Sequence, residues 1–550
     1  MTKEALLQAL RGGEKLSRRQ QFHLVALLST PAMLAQLSSI VMQYIDAAMV
    51  AHLGANAMGA IGLVCSTLWL ATGLCGAAAT GFYVMASHKV GARQYDAARR
   101  VMLVSLPATL CWSGLLALVC WLIAPSLPHW LGGGADICAD ATSYFLIYAA
   151  FLPAWQLNTL ASGMLRSAGN LKAPSILFAL MCFLDVVFNY LFIYKLHMGV
   201  SGAAWGTVSA EAVVMMGLLV CMFRQKEYRR PKPPSPNSSP SLSPSKLPSV
   251  IGFSRSPKRE LCHPSPVAFG DGQNAEGDNT SERLSPASFA EVSSPSLTGE
   301  GWQGAAGSPD GERLGERLGE RLGERLWRIL CPVFHIATPM ALERICLVGA
   351  QIASTVIVAP LGTVAIAANA LGITIEALCY MPGFGIGDAS STLVGQSHGA
   401  GRPALVYSFS RITLWLGVGV MTLMGAIMFI GAPALVGLMG PEADVGTLCV
   451  KVLRIEAFAE PMYGASIVGY CIFVALGDAL VPCLMNLATI WGIRITLAAI
   501  LAPFMGLPGV WLAMAIELTV RGLIFLLRLH LKVKPHPVKA ASGTLPPLPE

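Results

Sequence analysis

Charge is what this sequence has least of. Only 13% of its 550 residues are Asp, Glu, Lys or Arg, against about a quarter in soluble domains. So few charges cannot cover the surfaces of several soluble domains, and a large soluble protein is excluded. The chain has no Walker A phosphate loop, which argues against an ATP-driven pump. Its fourteen cysteines form no Cys-x-x-Cys pair and no His/Cys cluster, so they read as reduced and structural. No metal site, cofactor or catalytic constellation is expected, and therefore no enzyme. The alternating ten-residue segments of a membrane β-barrel are missing as well.

What is there is apolar, and it comes in long blocks. Apolar residues make up 54% of the chain, and mean hydropathy is +0.59. A helix needs roughly 20 such residues to cross a bilayer. Twelve blocks qualify: 24–45, 57–85, 101–124, 141–165, 173–194, 200–223, 329–358, 363–394, 409–432, 446–476, 480–504 and 507–528. The reading is an all-α membrane protein with twelve transmembrane helices.

Lys and Arg in short loops set the orientation. Lys3, Arg11, Lys15, Arg18 and Arg19 precede span one, and Lys89, Arg93, Arg99 and Arg100 follow span two. Arg166 and Lys172 follow span four; Arg224, Lys226, Arg229 and Arg230 follow span six; Arg528, Lys532 and Lys534 follow span twelve. The alternate loops hold few cations, with Lys195, Lys451 and Arg454 as exceptions. Both termini and the central linker are therefore expected on the cytoplasmic side of a plasma (bacterial inner) membrane. The net charge of +7 is this bias rather than a nucleic-acid surface. No cleavable signal peptide is expected, since the opening segment is polar.

The chain repeats itself. At an offset of 308 residues Pro31 pairs with Pro339, Gln43 with Gln351, Gly54 with Gly362 and Gly91 with Gly399. The same offset pairs Pro125 with Pro433, Gly132 with Gly440, Pro153 with Pro461, Gly169 with Gly477 and Pro174 with Pro482, before slipping by one at Gly202 and Gly509. Pro and Gly mark turns and span ends. Six spans per repeat, an even number, give both halves one orientation, so the expected form is two parallel six-helix lobes related by a pseudo-twofold axis. The expected domains are a cytoplasmic N-terminal segment (1–23), an N-lobe (24–225), a disordered linker (226–327), a C-lobe (328–531) and a cytoplasmic tail (532–550). The linker is rich in Ser and Pro and repeats Gly-Glu-Arg-Leu four times from Gly311 to Leu326. A Gly every fourth residue costs about 1 kcal/mol each against Ala, so a tether is expected there.

Several passages carry a resemblance. Span one runs from Pro31 to Tyr44-Ile-Asp46-Ala-Ala-Met-Val-Ala-His-Leu-Gly54, and the second half opens Pro339-Met-Ala-Leu-Glu343 and continues Ala359-Pro-Leu-Gly-Thr363. Span eight reads Glu376-Ala-Leu-Cys-Tyr-Met-Pro382-Gly-Phe-Gly and leads to Leu393-Val-Gly-Gln-Ser-His-Gly399-Ala-Gly. Span four ends Leu165-Arg-Ser-Ala-Gly169-Asn, followed by Lys172-Ala-Pro174. In this order the passages resemble the multidrug and toxic compound extrusion (MATE) antiporters. The resemblance implies a V-shaped pair of lobes and an antiporter that expels organic, often cationic, compounds against protons or sodium. Three features depart from the family pattern. Span five has Asp185 before Asn189 where the family often has the reverse, the loop after span two is poor in Gly, and the linker is long.

A charge inside the bilayer costs roughly 2.5–3.5 kcal/mol on insertion scales, so each one needs a reason. Asp46 maps to Ser354, Asp185 to Ile493, Glu343 to Ala35, Glu376 to Leu68 and Asp388 to Thr80. The acids thus break a symmetry that the Pro and Gly frame keeps. Asp46 is the first candidate for ion coupling, joined by Asp185 and Asn189, which lie four apart on one face of span five. Glu343, Glu376 and Asp388 are candidates for substrate binding or coupling in the C-lobe, with Arg494 as the suspected partner of Glu343. Glu211, Glu456, Glu460 and Glu517 rank behind them. Tyr44, Trp155, Tyr380 and Tyr463 are aromatics suited to a flat cation.

The expected function is secondary antiport of small organic, cationic compounds, by a monomer whose other surroundings are membrane lipid and whose coupling ion is a proton or sodium. A flippase for lipid-linked or amphiphilic cargo is the alternative, for which a larger and more cationic cleft is expected. A non-transporting receptor or scaffold is the third reading, and charges inside the spans weigh against it.

Overall fold

A computed structural model describes residues 2–229, 309–440 and 442–533 of the chain. Its helices are α1 (Lys3–Gly12), α2 (Arg18–Ala51), α3 (Ala55–Gly91), α4 (Tyr95–Ile123), the single turn α5 (Leu127–Trp130), α6 (Ala135–Ser167), α7 (Lys172–Asn189) and α8 (Gly199–Arg224). Then come α9 (Pro309–Val358), α10 (Thr363–Gly399), α11 (Pro403–Leu438), α12 (Ala443–Glu456), α13 (Glu460–Ala475), α14 (Leu480–Thr489), α15 (Thr496–Met505) and α16 (Leu507–Lys532). A π-helical turn, Tyr190–Lys195, extends α7, and another, Ile490–Ile495, joins α14 to α15.

Eleven of the described helices are long and apolar enough to cross a membrane singly, and α12 and α13, bent by 59°, are so only when taken together as one span. All twelve apolar blocks are therefore helical. Span ten is broken where its repeat mate, α6, runs straight through Pro153. The matching Pro461 enters at the start of α13, where its missing N–H is no loss.

The N-terminal segment 1–23, polar overall, holds an amphipathic helix, α1, whose Leu6, Leu7 and Leu10 are buried. The last part of the expected tether is helical, because α9 reaches back to Pro309. A helix continuing out of a span already has its nucleus, so the Gly penalty acts on propagation alone. Residues 230–308 of the linker and 534–550 of the tail lie outside the described residues.

The repeat is built into the backbone. Gly54 and Gly362 take left-handed φ of +105° and +96°, Gly132 and Gly440 +81° and +62°, and Gly169 and Gly477 +86° and +85°. After the slip by one, Gly199 and Gly506 match at +60° and +65°. Arg93 takes φ +60° where its mate Gly401 takes +65°, so the Gly-poor first loop keeps the turn at the expense of strain.

The lobes exchange the first turns of their first spans. Leu24, Val25 and Leu28 of α2 join a core with Leu393, Leu405, Phe409 and Phe473 of the C-lobe. Reciprocally, Val333 of α9 joins the N-lobe core of Phe82, Met102, Leu160 and Met164. Val25 and Val333 are 308 apart. Between the lobes α3 and α10 cross at their last turns, where a Cβ on Gly91 would sit 2.1 Å from the Gln396 carbonyl oxygen and one on Gly399 2.0 Å from that of His88. Only glycine allows backbones to approach so closely.

Candidate functional site

In the N-lobe α2 brings Asp46 to face α7 and α8. The Asn189 side-chain amide donates to Asp46 Oδ1 at 2.9 Å and to Asp185 Oδ2 at 3.1 Å. One nitrogen thus bridges two carboxyls drawn from different spans. Asp185 and Asn189 are buried and Asp46 partly so. Asp185 Oδ1 and Asn189 Oδ1 have no hydrogen-bond partner among the described residues. Span six makes room for this group: a Cβ on Gly206 would lie 1.9 Å from Asn189 Oδ1. The π-helical turn begins directly after Asn189, and such turns favour functional positions because they free local backbone geometry. The three residues expected to form a site therefore do come together. Glu211, one turn beyond Thr207 on α8, lies within electrostatic reach of Asp185.

The C-lobe acids divide into two settings. Glu343 is buried and accepts three hydrogen bonds, from Tyr470 Oη at 2.7 Å, Cys483 Sγ at 2.9 Å and Asn486 Nδ2 at 2.6 Å. Arg494, the partner expected for it, stands elsewhere. Eight residues separate it from Asn486 on span eleven, about 12 Å of rise at helical spacing. Arg494 instead has Glu376 and Glu456 within electrostatic reach and donates to Met514 Sδ.

Around Glu376 the structure gathers Glu456, Glu460, Glu517, Arg494 and Arg521. Glu456 and Glu460 flank the break in span ten, and all four of their carboxyl oxygens are buried without a hydrogen-bond partner among the described residues. Glu517 and Arg521 approach to 3.2 Å, one turn apart on α16. That contact is an ion pair by distance but lacks hydrogen-bond alignment, since Glu517 Oε1 and Arg521 Nε find no hydrogen-bond partner among the described residues. The Arg521 guanidinium lies 5.6 Å from the Tyr463 ring, which packs edge-on against Tyr380 at 5.5 Å. Of the remaining aromatics, Tyr44 Oη donates to the Thr374 carbonyl at 2.5 Å, which ties span one to span eight.

Asp388 belongs to neither group. Its Oδ2 accepts from Arg166 Nη1 of the N-lobe at 2.5 Å, and Gln36 Nε2 approaches the same oxygen at 3.5 Å. The pair joins α6 to α10, and the Arg166 guanidinium also lies over the Tyr83 ring at 5.9 Å. A cavity of about 190 Å³ opens beside it, lined by Gln36, Ser39, Thr159, Ser162, Arg166 and Asp388.

Glu456, Glu460 and Glu517, which rank behind the other acids on sequence, belong to the charged group around Glu376. Arg166, Arg521, Tyr470, Cys483 and Asn486 contact the candidate acids without standing among the sequence candidates. A signal for Arg166 was present, since its repeat mate is Val474 and it breaks the symmetry as the acids do. Asn486 carries the same mark, since its repeat mate is Phe178, whereas Tyr470 and Cys483 pair with Ser162 and Ser175 and give no sign of a carboxylate partner. Among the described residues no cluster of His, Cys, Asp and Glu could hold a metal ion.

The MatE family profile matches this chain twice, over residues 31–191 and 339–500, once in each lobe. A probable multidrug resistance protein NorM of Brucella suis is 30% identical over 209 residues, which is 37% of this chain and 44% of that protein. The chain thus matches under half the length of that relative. One of Thermotoga maritima, likewise described as a probable multidrug resistance protein NorM, is 21% identical over 513 residues, 91% of this chain and 90% of its own length. Among solved structures, a MOP superfamily transporter from Pyrococcus furiosus superposes with a TM-score of 0.73 at 16% identity, covering 96% of this chain and 97% of that one. The Vibrio cholerae MATE transporter VcmN in its bent form gives 0.70 at 17% identity, covering 94% and 98%. At these identities the likeness is one of fold.

Proposed function

The chain belongs to the MatE family, a family of multi-span secondary transporters and not of enzymes, and from that premise we propose that it exports small organic cations in exchange for protons or sodium ions. The observation that carries the reading is the Asn189 amide held between Asp46 and Asp185. Two bare carboxylates side by side in a dry site repel, so they take up one proton or one cation between them. Asn189 can donate to either acid while its own oxygen stays free for a bound cation. Loading and unloading that site alters the attraction between α2 and α7, and α2 also packs into the C-lobe core. Ion binding is thereby tied to the fit between lobes.

The cargo site lies in the C-lobe around Glu376, Glu456 and Glu460. Four carboxyls against two guanidiniums leave room for one or two positive charges. Tyr380 and Tyr463 offer ring faces to a flat cation. Glu343, saturated by three donors, serves coupling better than cargo binding. Asp388 acts between the lobes through Arg166. The same balance of charge weighs against lipid-linked phosphates, which need a cationic cleft. The protein works as a monomer in the plasma (bacterial inner) membrane, with both termini in the cytoplasm, as the loop charges direct.

Purified protein in liposomes tests this. A fluorescent organic cation is offered under an imposed pH or sodium gradient. One of the two gradients drives uptake, and Asp46→Asn lowers the initial rate by about a hundredfold while the protein still folds and inserts. Full transport by Asp46→Asn would remove Asp46 from the coupling site. Absence of uptake under either gradient, for any cation tried, would overturn cation antiport.

A further inference from the structure

The helix that precedes span one has no part in the transport site, and it grips both lobes. α1 is closed at each end on its own account. The Thr2 side chain accepts from the Ala5 N–H, and Gly13 ends the helix at φ +88°. α2 is closed separately by Ser17 and Gln20, which cap each other reciprocally. Each helix therefore keeps its ends satisfied without the other. Between them lie five residues, Gly13 to Ser17, so α1 can swing as a unit without unwinding span one.

Its contacts divide between the lobes. Arg11 Nη1 pairs at 2.9 Å with Glu227, just past span six and next to Tyr228 of the N-lobe core, and Arg11 Nη2 donates to the N-lobe carbonyl of Ala168 at 2.8 Å. Arg11 Nε donates to Gln396 Oε1 of α10, in the C-lobe, at 3.1 Å. Arg402, in the loop between α10 and α11, donates to the carbonyls of Ala9, Leu10 and Glu14 at 3.2, 2.8 and 2.6 Å. That places a cation on the C-terminal end of α1, where the helix dipole favours one. Leu7 fills the space over Gly169 of the N-lobe. Leu6 and Leu10 share a core with Leu393, Val394 and Leu405 of the C-lobe. No movement that parts the lobes at this end can keep all of these contacts.

We propose that α1 is a detachable clamp across this end of the two lobes, with Arg11 as its positioning residue, and that the end opens only when α1 releases one lobe. The three guanidinium nitrogens of Arg11 each reach a different acceptor, two on one lobe and one on the other. Lysine, a single point donor, holds Glu227 and loses the rest. The inference concerns motion between the lobes and stands whatever the cargo and coupling ion are.

Hydrogen exchange read by mass spectrometry, on the full chain in lipid nanodiscs, tests it without any transport assay. Wild type is compared with Arg11→Ala, Arg11→Lys and a chain lacking residues 2–13. Deletion and Arg11→Ala raise exchange about tenfold at 166–171 and 391–402, where the lobes meet beside α1, with Arg11→Lys between them and wild type. The loops at the opposite end, 52–56 and 360–364, keep their wild-type exchange. Unchanged exchange at the seam after deletion overturns the clamp. So does a rise spread evenly over all spans with a lower melting temperature, which marks α1 as packing alone. Should the deleted chain fail to insert, the Arg11 pair of variants decides the matter by the same two readouts.

Discussion

At the scale of single residues the N-lobe site depends on a side chain that is missing. Gly206 leaves space for Asn189, and a methyl group there meets Asn189 Oδ1 at 1.9 Å and its backbone nitrogen at 2.9 Å. A backbone atom cannot swing aside, so Gly206→Ala displaces the bridging amide and separates Asp46 from Asp185. Overpacking of this kind costs roughly 1–3 kcal/mol. The expected outcome is a folded protein whose ion-driven uptake falls at least about tenfold. Gly62→Ala, with no heavy atom within 4 Å of the added carbon, is the matched control and keeps its rate. Normal uptake by Gly206→Ala would show the amide bridge to be dispensable. Asp46, Asp185 and Asn189 were legible beforehand because polar atoms inside apolar spans demand partners, and spacing put two of them on one face. Gly206 was not, because a helical glycine has no meaning until the residue facing it is known. The donors around Glu343 stayed hidden for the same reason: Tyr470 and Cys483 pass for ordinary packing until a carboxylate is set against them.

At the scale of elements, the apolar blocks settled which segments are helical, since twelve runs of spanning length have few other uses. Breaks and extensions were harder to see. Pro153 and Pro461 are repeat mates, yet α6 continues through one and span ten bends by 59° before the other. A proline permits a break, and packing decides whether it is used. Gly425 of α11 takes up the bent corner, where an added Cβ would meet the Ala457 carbonyl oxygen at 2.7 Å. The Gly-Glu-Arg-Leu stretch shows the opposite error. Its glycines argue against an isolated helix, but α9 includes it as a continuation of span seven. If the helix there is limited by propagation, Gly315→Ala and Gly319→Ala together slow amide exchange across 311–326. At about 1 kcal/mol for each substitution the combined effect is roughly thirtyfold. Exchange at the rate of free peptide in both proteins would show that the stretch draws nothing from span seven.

At the scale of the whole molecule the two lobes meet through contacts that the repeat duplicates. His88 Nε2 hydrogen-bonds with the Ala475 carbonyl across the seam at 2.7 Å, and Gln396 Nε2 donates to the Ser167 carbonyl at 2.8 Å. His88 and Gln396 are 308 apart, and so are Ser167 and Ala475. The seam therefore carries one bond twice, from two different residue types, on either side of the close crossing at Gly91 and Gly399. Buried acids differ between the lobes, so an ion taken up at the proposed Asp46–Asp185 site would pull on one side only, while the duplicated bonds resist evenly. Removing either bond should favour parting by a similar amount, about 0.5–1.5 kcal/mol, or roughly two- to tenfold in the ratio of open to closed. His88→Ala and Gln396→Ala are expected to raise exchange at 166–171 and 391–402 to the same degree, and the double variant by about the product of the two. Arg11 complicates the comparison, because Gln396 also accepts from it. The equality is therefore sought in chains lacking residues 2–13, where that bond is gone from both. If His88→Ala opens the seam there and Gln396→Ala does not, the duplication is a trace of ancestry with no mechanical share in transport.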